Sequence, residues 1–153
     1  MANAYAQIQV HAVLAVENRA SLIGRDWRGR LYEYIVSVIN CQRHKALAIG
    51  GTHDHVHILI GLNTTQTVTE LVRRIKKGSS EWVNRNGFTS GKFEWQSGYG
   101  AFSYSKSQIQ AVTRYIKNQE KHHAKVSFSE EYKKILDNQG IEYDKRFLFR
   151  RVK

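Results

Sequence analysis

The chain has 153 residues, of which 41% are hydrophobic and 24% are charged, and these values fit one ordinary globular domain. Its one cysteine, Cys41, excludes an intramolecular disulfide framework and a cysteine-rich zinc module. The sequence has no apolar run long enough to cross a membrane and no basic residue before Arg19. We therefore expect neither a membrane span nor a signal peptide, and we expect a cytoplasmic location.

Positive charge is the first indication of a partner. The 24 Lys and Arg residues outnumber the 13 Asp and Glu residues, which leaves a formal net charge of +11. Such an excess on a small domain favours binding to a polyanion, with nucleic acid ahead of anionic lipid. The alternative is a basic enzyme whose charge has no partner.

The spacing of apolar residues predicts the elements of the first half of the chain. Residues 8–16 place an apolar side chain at every second position, which predicts a strand with His11 among the polar residues of its other face. Residues 27–41 show helical spacing. Residues 45–49 and 53–62 then read as two strands joined by a turn at the glycine pair between them.

Capping signals predict where helices begin in the second half of the chain. A capping box at residues 67–70 predicts the start of a helix. The aromatic segment 93–104 predicts a strand, and a second capping box at 105–108 predicts the next helix. A last helix is predicted at 129–138, and the tail 141–153 is a final strand or an arm.

This order of elements predicts an α+β fold. Strand, helix, strand, strand, helix, strand and two further helices suit a mostly antiparallel sheet with helices packed against it, either ferredoxin-like or RRM-like. The sequence has no proline, no repeat and no Ser/Gly-rich tract. We therefore predict that residues 1–153 form a single domain.

The segment from Thr52 to Ile60 holds three histidines at alternate positions. On a strand, His53, His55 and His57 would share one face. Two imidazoles at positions i and i+2 of a rigid strand can hold one cation between them. The alternative is a set of hydrogen-bonded surface histidines.

A second motif follows near residue 115. Tyr115 and Gln119 are four residues apart, so a helix would present both on one face. A tyrosine hydroxyl can attack phosphorus once a metal ion polarises the phosphate, and an amide oxygen is a hard metal ligand. The alternative is a tyrosine that packs over the sheet beside solvated polar neighbours.

Together the two motifs describe an incomplete coordination sphere with a nucleophile beside it. On both motifs the chain resembles the insertion-sequence transposases of the single-tyrosine HUH (His-hydrophobic-His) class, including their repeat-associated relatives. His55-Val56-His57 corresponds to the HUH motif, and Tyr115 to Gln119 corresponds to the tyrosine helix. Segments 93–99 and 140–144 also resemble this class.

The resemblance implies a residue-by-residue mechanism on single-stranded DNA. Tyr115 would attack a phosphodiester, leaving a 5′-phosphotyrosine bond and a free 3′-hydroxyl. His55, His57 and Gln119 would hold one Mg²⁺ or Mn²⁺. Members of this class recognise DNA hairpins at the ends of their element, and they form homodimers in which active sites are shared between subunits.

Other candidates have weaker support. We expect His53 and His122 either to support the metal ligands or to contact DNA, with a solvated helix end as the alternative for His122. A group of basic residues follows the first capping box, and some of its members could face DNA while the others are solvated. This group is Arg73, Arg74, Lys76 and Lys77.

Several other functions remain open at this point. Replication initiators and relaxases use the same His-x-His chemistry, but they often have paired tyrosines, and here Gln119 stands four residues after Tyr115. A non-catalytic RRM-like protein would bind nucleic acid on exposed aromatic residues of its sheet. A zinc hydrolase would need an activating carboxylate, and no recognisable motif places one.

Overall fold

A computed structural model describes residues 5–149. Within this range the strands form one four-stranded sheet in the order β2-β3-β1-β4, and every neighbouring pair is antiparallel. The strands are β1 (Gln9–Ala15), β2 (Lys45–Gly51), β3 (His55–Gly61) and β4 (Gly100–Ser103).

Helices cover both faces of this sheet. They are α1 (Arg25–Cys41), α2 (Val68–Asn86), α3 (Ile109–Lys117), α4 (Gln119–His123) and α5 (Phe128–Asn138). The connection β1-α1-β2-β3-α2-β4 and the strand order are those of a ferredoxin-like fold, which confirms the predicted α+β class. No helix within residues 5–149 is both long enough and apolar enough to span a membrane.

The main hydrophobic core lies between one face of the sheet and helices α1 and α2. Alternate residues of β1 and β3, such as Leu14 and Ile58, pack there against Leu31 and Ile75. Thr67 caps α2 where predicted, because its hydroxyl accepts a hydrogen bond from the backbone amide of Glu70, 3.1 Å away.

The opposite face of the sheet is also buried. Val112 and Ile116 of α3 pack on Leu59, and Tyr132 of α5 packs near Val13 of β1. His11 therefore lies inside the protein, although the sequence suggested a polar outer face for this strand. Because helices cover this face, it offers no open aromatic platform of the kind an RRM-like binder uses.

The β2–β3 connection differs from the prediction. Strand β2 continues through both glycines to Gly51, and β3 begins only at His55, so the turn lies at 52–54. The glycines serve close packing instead: a Cβ on Gly50 would lie 2.2 Å from the Ile116 carbonyl oxygen, and one on Gly51 would lie 2.1 Å from the His55 carbonyl oxygen. His53 is thus an exposed turn residue.

Two further predictions are corrected at the C-terminal side. The aromatic segment forms a regular strand only at Gly100–Ser103, preceded by an isolated bridge between Val16 and Trp95. The tyrosine helix ends at Lys117, because the Asn118 backbone leaves helical geometry before α4 begins. The tail contains a 3₁₀ turn at Lys145–Phe147, and residues 150–153 lie outside the described range.

Direct packing of α3 on the Gly50 backbone gives a stability prediction. Gly50→Ala should lower the free energy of unfolding by about 1–3 kcal/mol, because the added methyl group meets backbone and α3 must move. Gly29→Ala is the matched control within α1, where a Cβ meets nothing within 4 Å. It should raise that free energy by about 0.5–1 kcal/mol. Urea denaturation measures both, and equal stabilities would contradict the packing.

Candidate metal and tyrosine site

His55 and His57 stand two residues apart on β3, so their side chains leave the same face of the sheet. Neither is exposed to solvent, because α3, α4 and α5 cover this face. His55 is held at both ring nitrogens. Its Nδ1 lies 2.8 Å from Asp54 Oδ1, and its Nε2 lies 2.8 Å from Gln119 Oε1.

A carboxylate from α5 occupies the centre of the site. Glu131 is only 3% exposed, and its two oxygens contact groups from three elements. His57 Nε2 lies 3.0 Å from Oε1, and His123 Nε2 lies 3.1 Å from the same oxygen. Gln119 Nε2 donates to Oε2 at 2.9 Å, and the Tyr115 hydroxyl donates to Oε2 as well.

These contacts set the charge of the site. Burial alone would raise the pKa of Glu131, but the hydrogen bonds from His123, His57 and Tyr115, together with the proximity of His57, outweigh burial and hold this pKa well below its usual range. The Tyr115 pKa rises strongly, first because of burial and then because its hydroxyl donates to Glu131. The resting site therefore holds an ionised carboxylate and a protonated tyrosine.

His57 is neutral in this setting. Burial lowers its pKa to about 4, and the neighbouring Glu131 offsets only part of that effect. Its second ring nitrogen, Nδ1, lies 2.7 Å from Nε2 of His11 on β1. A neutral imidazole has a lone pair that it can offer to a metal ion.

The donor atoms fit a divalent cation. The ligand atoms of His55, His57, His123 and Glu131 all lie within 4.8 Å of one another. Adjacent ligands of an ion with bond lengths of about 2.1 Å are about 3.0–3.4 Å apart. The imidazole-to-carboxylate distances of 3.0, 3.1 and 3.6 Å are close to that range, and Gln119 Oε1 adds a further oxygen beside His55.

The structure brings together the residues that the two sequence motifs singled out. Tyr115, Gln119, His55 and His57 all lie in one connected group of hydrogen bonds, and all belong to a single chain. The break at Asn118 does not separate Tyr115 from Gln119. His122 also adjoins the site, with Nε2 3.4 Å from Glu131 Oε2.

Other candidates lie elsewhere. His53 does not share the strand face of His55 and His57, because it precedes the strand; it lines a surface groove with Arg25 and Arg28. The basic residues of α2 lie on the helix layer that covers the opposite face of the sheet. The structure therefore does not place His53 where it could support the metal ligands.

The basic residues of α2 also differ among themselves. Arg73 and Arg74 are exposed and pair with Glu70, at 2.7 and 3.4 Å, and Lys77 is exposed. Lys76 is half-buried, and its Nζ donates to the carbonyl oxygens of residues 96 and 98. Lys76 thus binds the backbone of the segment that follows α2.

The sequence interpretation missed Glu131 and did not place His123 among the metal ligands. A signal for Glu131 existed, since Phe128, Tyr132 and Ile135 give α5 an apolar face and Glu131 falls within it. A carboxylate at a core position of an amphipathic helix needs a partner. The sequence could not show that this partner group would be Tyr115 and the strand histidines.

A cavity of about 330 Å³ opens beside Tyr115. Tyr104, Val112 and Ile135 line it together with Tyr115 and Glu131. Tyr115 therefore borders open space as well as the carboxylate. A bound group of the size of a nucleotide phosphate could approach from this side.

Comparisons with known proteins show what this chain is similar to. The sequence profile of the family described as IS200-like transposases matches residues 4–119. The matched range includes both histidines of β3, Tyr115 and Gln119, and it ends before Glu131. A search among curated proteins found no match.

Two solved structures share the fold. A proposed transposase from Deinococcus radiodurans R1 is 17% identical, with a TM-score of 0.61, and the alignment covers 78% of this chain and 95% of that one. A REP-associated tyrosine transposase bound to a REP hairpin is 17% identical, with a TM-score of 0.55 and coverage of 76% and 68%. At these identities the likeness concerns the fold.

The central position of Glu131 predicts an effect on metal binding. Mn²⁺ should raise the melting temperature of the unaltered protein, because a ligand that binds only the folded state stabilises it. Glu131→Gln should reduce this rise at the same Mn²⁺ concentration, since an amide replaces a charged ligand. Glu130→Gln, at the exposed neighbouring position, should leave the rise unchanged. An equal rise in all three proteins would contradict the central role of Glu131.

Proposed function

Because the chain belongs to the IS200-like transposase family, we propose that it is a metal-dependent transposase acting on single-stranded DNA. In this proposal Tyr115 is the nucleophile that cleaves and rejoins the strand. The observation that carries it is the shared carboxylate: Glu131 contacts Tyr115 and Gln119 on one side and His57 on the other. Nucleophile and candidate metal ligands thus converge on one point.

The metal ligands in this proposal are His55, His57 and Gln119, with Glu131 and His123 as additional donors. Imidazole nitrogens, an amide oxygen and a carboxylate form a mixed donor set, and we propose Mg²⁺ or Mn²⁺ as the ion. A bound divalent ion would polarise the scissile phosphate and offset the charge that develops there. The ionised Glu131 adds a negative charge that attracts such an ion.

The reacting atoms in this proposal are those that the resemblance to single-tyrosine HUH transposases implies. The Tyr115 oxygen forms a bond to phosphorus, and the bond from phosphorus to the 3′-oxygen breaks. The products are a 5′-phosphotyrosine bond and a strand that ends in a 3′-hydroxyl. Glu131 Oε2 already accepts the hydroxyl hydrogen of Tyr115, so it is placed to take that proton, and the leaving oxygen gains one from solvent.

Rejoining is the same step in reverse. A different 3′-hydroxyl attacks the phosphotyrosine, the new phosphodiester forms, and Tyr115 leaves with its proton returned. The phosphotyrosine bond stores the energy of the cleaved phosphodiester, so no nucleotide cofactor is consumed. Cleavage followed by joining to another end moves a segment of DNA.

Recognition of DNA in this proposal uses hairpins at the ends of the element. One structure of similar fold was determined with a REP hairpin bound, and the net charge of +11 suits a polyanion. The exposed side chains Arg73, Arg74 and Lys77 are the proposed backbone contacts on α2. Beside the site itself, Arg25 and His53 line the groove that reaches His123.

The nucleophile can be tested directly. Tyr115→Phe should abolish the covalent protein–DNA band formed with Mn²⁺ and single-stranded DNA from the regions flanking the coding sequence. The lost hydroxyl changes little volume, so folding and DNA binding should persist. Tyr104→Phe is the matched control, because Tyr104 lines the same cavity and should leave the band unchanged. A band of normal intensity in Tyr115→Phe would show that another residue attacks.

Affinity should depend on salt. Binding to single-stranded DNA should weaken with a log–log slope of about −0.7 for each phosphate neutralised. The double variant Arg73→Ala/Arg74→Ala should flatten that slope. The control Glu70→Gln removes the partner of both arginines and should leave binding as strong or stronger. An unchanged slope in the double variant would move the DNA contact away from α2.

The resemblance implies that active sites are shared within a homodimer, and that stays a prediction. The contacts within one chain support the alternative, in which each chain supplies its own site. For this alternative we expect a mixture of His57→Ala and Tyr115→Phe proteins to stay inactive. If subunits exchange their tyrosine helices, one site of each mixed dimer is intact, and about a quarter of all sites should work after random assortment. Cleavage by the co-expressed mixture, with mixed dimers verified by mass, distinguishes the two arrangements.

A further inference from the structure

His11 is a buried polar side chain to which the proposed chemistry gives no role. It lies on β1 between β3 and β4 and is 1% exposed. Its ring packs near Phe102 and Tyr104, with centroid separations of 5.9 and 6.0 Å. Among the described residues its Nδ1 finds no hydrogen-bond partner. Such a buried atom costs about 1–3 kcal/mol, so an apolar residue would suit stability better here.

The one polar contact of this ring that the structure gives is with a proposed metal ligand. His11 Nε2 lies 2.7 Å from His57 Nδ1, and the two rings stack with centroids 4.9 Å apart. A neutral imidazole in this place can donate at one nitrogen and accept at the other.

The two nitrogens of His57 have separate surroundings. Nε2 points into the metal cluster and lies 3.0 Å from Glu131 Oε1, whereas Nδ1 points at His11. A metal-binding histidine needs a partner on its second nitrogen to fix the ring and its tautomer. For His55 this partner is the Asp54 carboxylate, and for His57 it is the ring of His11.

We propose that His11 is a positioning residue that fixes the ring of His57 and allows its Nε2 to bind a divalent cation. The inference rests on the proposed function, because it concerns the same metal site. A neutral partner has an advantage at this depth, since a second buried carboxylate next to Glu131 would add an uncompensated charge. His11 supplies the hydrogen bond without that charge.

The His11–His57 pair carries the same number of protons with and without a bound metal ion. Without metal, His57 Nε2 holds a proton and donates to Glu131, so His57 Nδ1 accepts from His11 Nε2. With a cation on His57 Nε2, the proton of the shared hydrogen bond belongs to His57 Nδ1, which donates to His11 Nε2. The proton displaced from Nε2 is matched by one gained at the free Nδ1 of His11. The pair therefore keeps two protons throughout, and both rings change tautomer together.

Metal affinity tests this role without DNA or turnover. The free Mn²⁺ signal in electron paramagnetic resonance gives the dissociation constant of the full-length protein. His11→Phe keeps a ring of similar shape but offers no hydrogen bond, and it should raise the constant about 10–100-fold. His11→Gln places an amide near the position of Nε2 and should restore the constant to within about threefold of the unaltered value.

Phe102→Leu is the matched control for packing. Phe102 contacts the same ring of His11, so this variant perturbs the same part of the core without removing a hydrogen bond. It should lower the melting temperature and leave the Mn²⁺ constant unchanged. Unaltered affinity in His11→Phe, or an equal loss in Phe102→Leu, would overturn the proposal.

Nuclear magnetic resonance of the unaltered protein keeps the proposal testable if His11→Phe does not fold. Zn²⁺ is a diamagnetic probe that imidazoles bind well. Long-range ¹H–¹⁵N spectra should show His57 and His11 both changing from the Nε2–H to the Nδ1–H tautomer on addition of Zn²⁺. A His11 tautomer that does not respond would overturn the role. Failure of the proposed function would give a different result from failure of the His11 role: DNA cleavage would be absent although metal binding is intact.

Discussion

The hydrogen bonding of the buried Glu131 carboxylate is the interaction on which the candidate site depends. It connects α5 with Tyr115 of α3, with Gln119 of α4 and with His57 of the sheet. An ionised carboxylate this deep is stable only when several donors satisfy it. The same donors are the groups that a phosphoryl-transfer site needs, so stability of the helix layer and assembly of the site follow from one set of contacts.

The sheet supplies the rigid half of this arrangement. Strand β3 is central, and its alternation places His55 and His57 beneath the helices that carry the tyrosine and the carboxylate. Gly50 allows α3 to lie directly on the backbone of β2, which brings Tyr115 down to the histidines. The extra helices after β4 thus convert a ferredoxin-like sheet face into a closed, polar site.

Local patterns predicted much of this architecture. The alternation of β1, the capping threonine of α2 and the strand histidines are encoded by short-range spacing, and the structure has each of them. The glycine pair was misread as a turn, because sequence does not show whether a glycine is needed for a turn or for close approach of another element. Glu131 and His11 were missed for a similar reason: their partners are 16 and 46 residues away in sequence.

The central claim is that one chain joins a divalent cation site to its own tyrosine through Glu131. Diffraction data collected on either side of the manganese absorption edge, from crystals containing Mn²⁺, test it most directly. The account predicts an anomalous peak within about 2.3 Å of His55 Nε2, His57 Nε2 and a Glu131 oxygen, with Tyr115 of that chain beside it. A peak elsewhere, no peak at all, or a tyrosine turned away from the occupied site would contradict it.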